Sequence, residues 1–189
     1  MNPHLLLASK SPRRRQLLAE LGFSLDFVDI DVDEHLDHPV PAREVAEQTA
    51  LRKAAGYTLP LGGNDVLVTA DTVVVHAGAV LGKPRDRADA LAMLQALSGD
   101  VHQVYTGVCL RSARRSVSFT ECTDVHFRTL TRQEMEYYTD RYRPFDKAGA
   151  YGIQEWIGMV GISRIEGCYY NVMGLPVARL YEELKLLVD

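Results

Sequence analysis

Apolar and polar positions along the chain follow two rhythms, and the switches between them outline an α/β protein. Leu5-Leu6-Leu7-Ala8 is a short unbroken apolar run of the kind a buried strand makes. It leads into Ser11-Pro12-Arg13, where Ser11 is placed to cap a helix and Pro12 suits its first turn. Leu17, Leu18 and Leu21 give that helix an apolar face, and Gly22 ends it. Phe23 to Ile30 reads as a second strand, and the acidic stretch Asp29 to His38 as a loop closed by Pro39 and Pro41. From Ala42 to Ala55, Val45, Ala46, Thr49 and Lys53 recur at helical spacing. Val66 to His76 is the most apolar run, and Ala77-Gly78 predicts a hairpin back into Ala79-Val80-Leu81. Asp86 to Leu97 predicts an amphipathic helix with Leu91 and Leu94 inward, stopped near Gly99.

In the second half, Val101 to Arg111 and Ser116 to Arg128 alternate as strands do, with Val117, Phe119, Val125 and Phe127 on one face. The short link between them predicts an antiparallel hairpin. Thr131 to Tyr142 reads as a helix capped by Thr131, with Glu134 at the capping-box position. Pro144 to Gln154 is glycine-rich and irregular, Met159 to Ile165 reads as a strand, and Pro176 to Leu187 as a closing helix with Val177, Leu180, Tyr181 and Leu184 inward. Crossover and hairpin links occur together, so the sheet is expected to be mixed and flanked by helices. With no repeat and no long linker, residues 1–189 are expected to form a single domain.

Composition narrows the function classes. The chain has 189 residues, 47% of them hydrophobic, and a formal net charge of -4. That excludes a global basic field of the kind that draws proteins to nucleic acid or anionic membranes, so any bound anion must meet a local cluster of cations. Cys109, Cys122 and Cys168 are odd in number and far apart, which reads as reduced core thiols and not a disulfide frame or zinc site. No apolar run approaches the ~18 residues of a membrane span. The first residues lack the pattern of a signal peptide, and the expected location is cytoplasmic.

Four features point to chemistry, and each has a plain alternative. Arg13-Arg14-Arg15 stands at a helix start, where cations are unfavourable by roughly 0.3–1 kcal/mol each. An anion bound there by main-chain N–H groups, the Ser9 and Ser11 hydroxyls and the arginines would reverse that cost; the alternative is a solvated basic turn. Asp71 interrupts a run that should be buried, so its carboxylate needs a partner: it is either an ion pair at a strand end or a general base or metal ligand in a cleft. Lys53, Lys83 and Lys147 stand beside turns or on a helix face; singly they are ordinary surface charges, together they would neutralise a triphosphate. The acidic loop Asp31 to His38 is oxygen-rich and suits Mg²⁺ or Mn²⁺, with Glu34 its best candidate, or is simply solvated. His35 and His38 lack a third ligand at a zinc spacing. A P-loop, a dinucleotide-binding glycine motif and a G-x-S-x-G elbow are all absent.

Ser9-Lys10-Ser11-Pro12-Arg13-Arg14 closely resembles the opening S-x-S-P-R-R signature of Maf proteins. Ala70-Asp71-Thr72-Val73-Val74, Gly82-Lys83-Pro84, Leu97-Ser98-Gly99 with His102-Gln103-Val104, Asp146 to Gln154, and Tyr170 to Pro176 resemble further Maf segments in the same order, across residues 4 to 187. The resemblance implies a long twisted mixed β-sheet flanked by helices, with two lobes and a central cleft, as in inosine-triphosphatase-like enzymes. It implies hydrolysis of a nucleoside triphosphate between the α and β phosphates with a divalent metal, Mg or Mn, and a homodimer. The family's proton acceptor falls on Asp71, and its phosphate- and metal-handling positions fall on Ser9, Arg14, Glu34, Lys53 and Lys83. Substrate choice follows Arg13, Thr72 and Gln154, and this combination resembles the branch acting on dTTP, UTP and modified pyrimidine triphosphates. A glutamine amide both donates to and accepts from a uracil or thymine edge. Lys10, Arg15 and Glu155-Trp156 depart from the family pattern. Maf proteins are also associated with arrest of septum formation, so the alternative is a nucleotide-binding regulator of cell division with little catalysis.

Overall fold

The computed structural model describes residues 3–33, 36 and 39–188. In chain order the elements are β1 (His4–Leu7), α1 (Pro12–Ala19), β2 (Ser24–Phe27), α2 (Ala42–Gly56), β3 (Asp65–His76), β4 (Ala79–Leu81), α3 (Arg87–Leu97), β5 (Val101–Arg111), β6 (Ser116–Phe127), α4 (Arg132–Tyr142), a 3-10 turn (Ala148–Ala150), α5 (Trp156–Gly161), β7 (Ile162–Glu166), α6 (Tyr169–Met173) and α7 (Val177–Val188). The strands make one seven-stranded sheet in the order β2-β1-β3-β5-β6-β7, with β4 paired to β3. β1 runs parallel to β2 and β3, while β4 and β7 are antiparallel to β3 and β6, so the sheet is mixed as expected. No helix among the described residues is long and apolar enough to cross a membrane.

The chain divides into two compact units, and β3, β5 and β6 each contribute residues to both. The first holds the residues up to Asp71, Thr106–Glu121 and the chain from Gly174. Its core sets Leu6, Ala8, Leu67 and Cys109 against Ala50, Ala54 and Tyr57. Small residues line the inner face of α2, and Gly107 of β5 lies beneath it. A Cβ at Gly107 would overlap the main chain of Ala46 and Glu47, so only glycine lets helix and strand approach this closely. Two polar ties fix the dock: Thr69 Oγ1 donates to Ala50 O at 2.7 Å, and Glu47 accepts from Ser118 Oγ and Thr120 Oγ1 at 2.6 and 2.7 Å.

The second unit holds Thr72–Tyr105 and Cys122–Met173. Its core gathers Leu94 and Leu97 of α3, Val125 and Phe127 of β6, Met135 and Tyr138 of α4, and Tyr151, Ile153 and Ile157. The β3–β4 turn has Ala77 at φ 48 and Gly78 at φ 79, the paired left-handed residues that a two-residue hairpin demands. The Thr131–Glu134 capping box is present in full.

Several expectations are corrected. The second strand covers only Ser24–Phe27 and not 23–30, because its ladder partner β1 is four residues long. Met159 to Gly161 belong to α5 and not to a strand; pairing with β6 starts at Ile162, opposite Phe127. A short apolar run bears either reading until a partner decides. The brief helix α6 was unexpected. On α7, Leu180, Leu184 and Leu187 are buried, whereas Tyr181 is exposed, its ring against Phe23 and under the Lys185 ammonium. Of the three cysteines only Cys109 is in the core; Cys122 is exposed and Cys168 intermediate.

Candidate functional site

In the first unit, Asp71 sits where the buried run of β3 breaks: residues 66–70 are buried, Asp71 and Thr72 are half-buried, and 73–75 are buried again. Its carboxylate has the cation its position requires. Lys53 Nζ lies 2.9 Å from Asp71 Oδ1, with the two side chains 12% and 20% exposed. The approach follows from the α2 dock. Thr69 and Asp71 share a face of β3, Ala50 and Lys53 share a face of α2, and the Thr69–Ala50 bond holds the two faces together.

The arginines at the start of α1 divide their work. Ser11 caps the helix by accepting from the Arg14 N–H, and Ser9 Oγ accepts from the Ser11 N–H at 3.2 Å. Arg14 is buried and turned inward: Nε donates to Gly174 O and Nη1 to Ala70 O, both at 2.8 Å. Its guanidinium therefore ties the helix start to the residue preceding Asp71. Arg15 donates from Nε to Ser9 O at 3.2 Å and lies over the Phe27 ring. Arg13 is half-buried. Ser9, Arg14, Lys53 and Asp71 thus stand on segments that are hydrogen-bonded to one another or share the β1–β3 ladder, since Ala8 N–H donates to Val68 O.

In the second unit, Thr72 is half-buried, while Lys83 and Gln154 are exposed. The loop bearing Lys83 is held at its base, where Gly149 N–H donates to Gly82 O at 3.1 Å. Gln154 stands on a turn closed by Glu155 N–H donating to Gly152 O at 3.0 Å. Lys147, expected to join the lysines that meet a triphosphate, is instead buried with its ammonium 2.8 Å from Asp146 Oδ1 and 3.0 Å from Glu155 Oε1. Two carboxylates already face its single charge.

Glu34 lies outside the described residues, as do His35 and His38. Among the described residues no group of three or more His, Cys, Asp or Glu side chains is gathered to hold a metal ion.

Other polar groups make bonds that the sequence reading did not assign. Tyr138 is fully buried on α4; its hydroxyl donates to Glu155 Oε2 and accepts from the Gly152 N–H. Burial first, and then the bond to Glu155 and its charge, raise the Tyr138 pKa, so the phenol keeps its proton. The available signal was a tyrosine at helical spacing from Met135, on a face turned to the core, where a hydroxyl must find a partner. His102 is buried against Phe127 and Tyr151, its Nε2 2.7 Å from Tyr151 Oη, and burial pushes its pKa down to about 4.

The Maf-like protein family model matches residues 4–187. The dTTP/UTP pyrophosphatase of Bacteroides fragilis is 48% identical over 184 residues, covering 97% of this chain and 95% of its own. That of Bacteroides thetaiotaomicron is 47% identical over 186 residues, with coverages of 97% and 95%. That of Christiangramia forsetii is 39% identical over 188 residues, with coverages of 100% and 96%. The motif order, the near-complete family match and identities of this size over whole chains lead to one conclusion: the chain belongs to the Maf family.

Proposed function

We propose that the chain hydrolyses dTTP and UTP, together with modified pyrimidine nucleoside triphosphates, to the monophosphate and pyrophosphate. The observation that carries this reading is the Asp71 carboxylate, partly solvent-accessible at the break of a buried strand and held by the Lys53 ammonium at 2.9 Å. Lys53 donates to that carboxylate and holds it in place. Asp71 then accepts a proton from a water that attacks the α-phosphorus. The new P–O bond forms as the bond to the bridging oxygen breaks, and pyrophosphate leaves with the electron pair. Arg13, Lys53 and Lys83 supply positive charge to the polyphosphate, and Ser9 a hydroxyl. Arg14 contributes through the Ala70–Asp71 segment and the start of α1. Most of the acceleration comes from positioning and charge neutralisation, with no covalent intermediate.

A divalent cation, Mg²⁺ or Mn²⁺, is part of the proposal. Such ions are held by one or two carboxylates and the substrate's own phosphates more often than by a protein cage, so one hard oxygen ligand at Asp71, with Glu34 as a second, fits this chemistry. When bound it would polarise phosphate oxygens and neutralise charge. Thr72 and Gln154, with Arg13, are proposed to select the pyrimidine. We also infer a homodimer in the cytoplasm.

The test is pyrophosphate release from a panel of triphosphates containing dTTP, UTP, modified pyrimidine triphosphates and 7-methyl-GTP. Turnover on the pyrimidines, abolished by chelator and restored by Mg²⁺ or Mn²⁺, is the expected result. Nucleotide binding without turnover on any member would favour the division-regulator alternative.

A further inference from the structure

The turn that carries Gln154 is anchored more firmly than an exposed turn requires. Gly152, Ile153, Gln154 and Glu155 form it, closed by the Glu155 N–H to Gly152 O bond. Ile153 points into the core and Gln154 outward. Both ends of the turn meet one atom: Tyr138 Oη accepts from the Gly152 N–H at 3.0 Å and donates to the Glu155 carboxylate. The other oxygen of that carboxylate lies 3.0 Å from the buried Lys147 ammonium. Glu155 occupies the N-cap position of α5, yet its side chain makes no cap bond there. The carboxylate is directed instead at the tyrosine and the lysine.

The same group explains Gly152, and the turn's own main chain explains Gly158. A Cβ at Gly152 would stand 3.0 Å from the Glu155 carboxyl carbon and 3.1 Å from Lys147 Cε, so a side chain there would press on the pair. A Cβ at Gly158, in the first turn of α5, would overlap the Ile153 carbonyl. Residues on either side of Gln154 are therefore held, while Gln154 is the exposed residue of the turn.

We propose that Tyr138, Glu155 and Lys147 form a clip that sets the main chain of the 152–155 turn and so aims the Gln154 side chain, making Tyr138 and Glu155 positioning residues for pyrimidine selection. The inference rests on the proposed role of Gln154. Its physical basis is that a glutamine amide carries both a donor and an acceptor. Free to turn, it would match the cytosine edge as readily as the uracil or thymine edge. Preference for one requires a fixed place, and a rigid scaffold beneath the reader provides it. The protonated phenol suits the task, since it donates to the carboxylate and accepts from the amide at once.

The experiment compares kcat/KM for dTTP with that for dCTP in the wild-type protein, in Gln154→Ala, Tyr138→Phe and Glu155→Gln, and in the Tyr138→Phe/Gln154→Ala double variant. The ratio of the two values does not depend on the fraction of folded enzyme, so a merely structural role would leave it unmoved. We expect Gln154→Ala to lower the ratio by about tenfold, as loss of a base-reading hydrogen-bond group should. Tyr138→Phe is expected to lower it severalfold, chiefly through a higher KM for dTTP with kcat largely kept. Glu155→Gln should act in the same direction and carries the test if Tyr138→Phe fails to fold. The double variant should be no less selective than Gln154→Ala alone. Wild-type ratios in Tyr138→Phe or Glu155→Gln, beside a lowered ratio in Gln154→Ala, would overturn the clip and leave the reader in place. An unchanged ratio in Gln154→Ala would remove the reader itself, and the clip with it.

Discussion

Lys53 of α2 and Asp71 of β3 stand 2.9 Å apart because Thr69, two residues before the acid, is hydrogen-bonded to Ala50, one helical turn before the lysine. The ion pair is thus a product of helix-on-sheet docking and not of local sequence. Around it, Gly107 sets the depth of α2, and Ser118 and Thr120 hold Glu47.

Asp71→Asn is expected to lower kcat by about 10²–10⁴-fold, the usual range for a positioned acid or base. Nucleotide affinity should be retained, because the neutral amide keeps the shape of the carboxylate. Pyrophosphate release together with calorimetric titration of a non-hydrolysable dTTP analogue measures both. Full turnover in the variant would remove Asp71 from its role.

Gly107→Ala tests the dock directly. A methyl group there overlaps the main chain of Ala46 and Glu47, which cannot yield without moving α2. The expected loss is about 1–3 kcal/mol in urea unfolding, typical of overpacking. A fall in kcat beyond the fraction unfolded should accompany it, as Lys53 is displaced from Asp71. Unaltered stability would show that α2 sits further from β5 than described.

His102 predicts a pH dependence. Its folded pKa is depressed to about 4 from the ordinary 6.5, chiefly by burial beside Phe127 and Tyr151. The unfolded chain therefore takes up a proton between those values while the folded chain does not, and stability falls as pH drops from 6.5 toward about 4. The full effect is on the order of 3 kcal/mol. Urea unfolding across this window should fall more steeply for the wild type than for His102→Gln, with the His102 ring resonances still those of neutral imidazole at pH 5.5.

Glu134 works in a more acidic window. Its hydrogen bonds from Arg128, and then from the Thr131 N–H, lower its pKa from 4.5 to about 2. The capping box contributes fully above 4.5 and is lost as pH falls through about 2. The group is partly exposed, so the contribution is about 1 kcal/mol or less. In unfolding measured at pH 5 and pH 2, Glu134→Gln should lower stability at the higher pH and have little effect at the lower one.

Local signals carried far where one segment holds both halves of the relationship. The Thr131–Glu134 box, the Ala77-Gly78 turn and the Ser11-Pro12 helix start were legible because cap, turn and partner lie within a few residues. Asp71 was legible as an anomaly, since a charge inside a run of buried valines has to be answered by something. What answered it was not, and neither was the purpose of each cation. Lys53 and Lys147 look alike in sequence, yet one meets Asp71 and the other lies between Asp146 and Glu155. Nor does the row of three arginines say that Arg14 turns inward to the carbonyls of Ala70 and Gly174.

Read alone, the chain pointed to a mixed α/β sheet, the order of nearly all its elements, the membership carried by its motifs and an acid, Asp71, that a buried run has to answer. These follow from periodicity, capping and short motifs, all of which act over a few residues. Folding settled the rest: which lysine faces the acid, where β2 and β7 begin and end, and that Tyr138, Glu155 and Lys147 meet beneath Gln154. Hydrogen bonds and ion pairs act over about 3 Å, and which groups come that close depends on how the elements pack, across separations that reach 160 residues of chain.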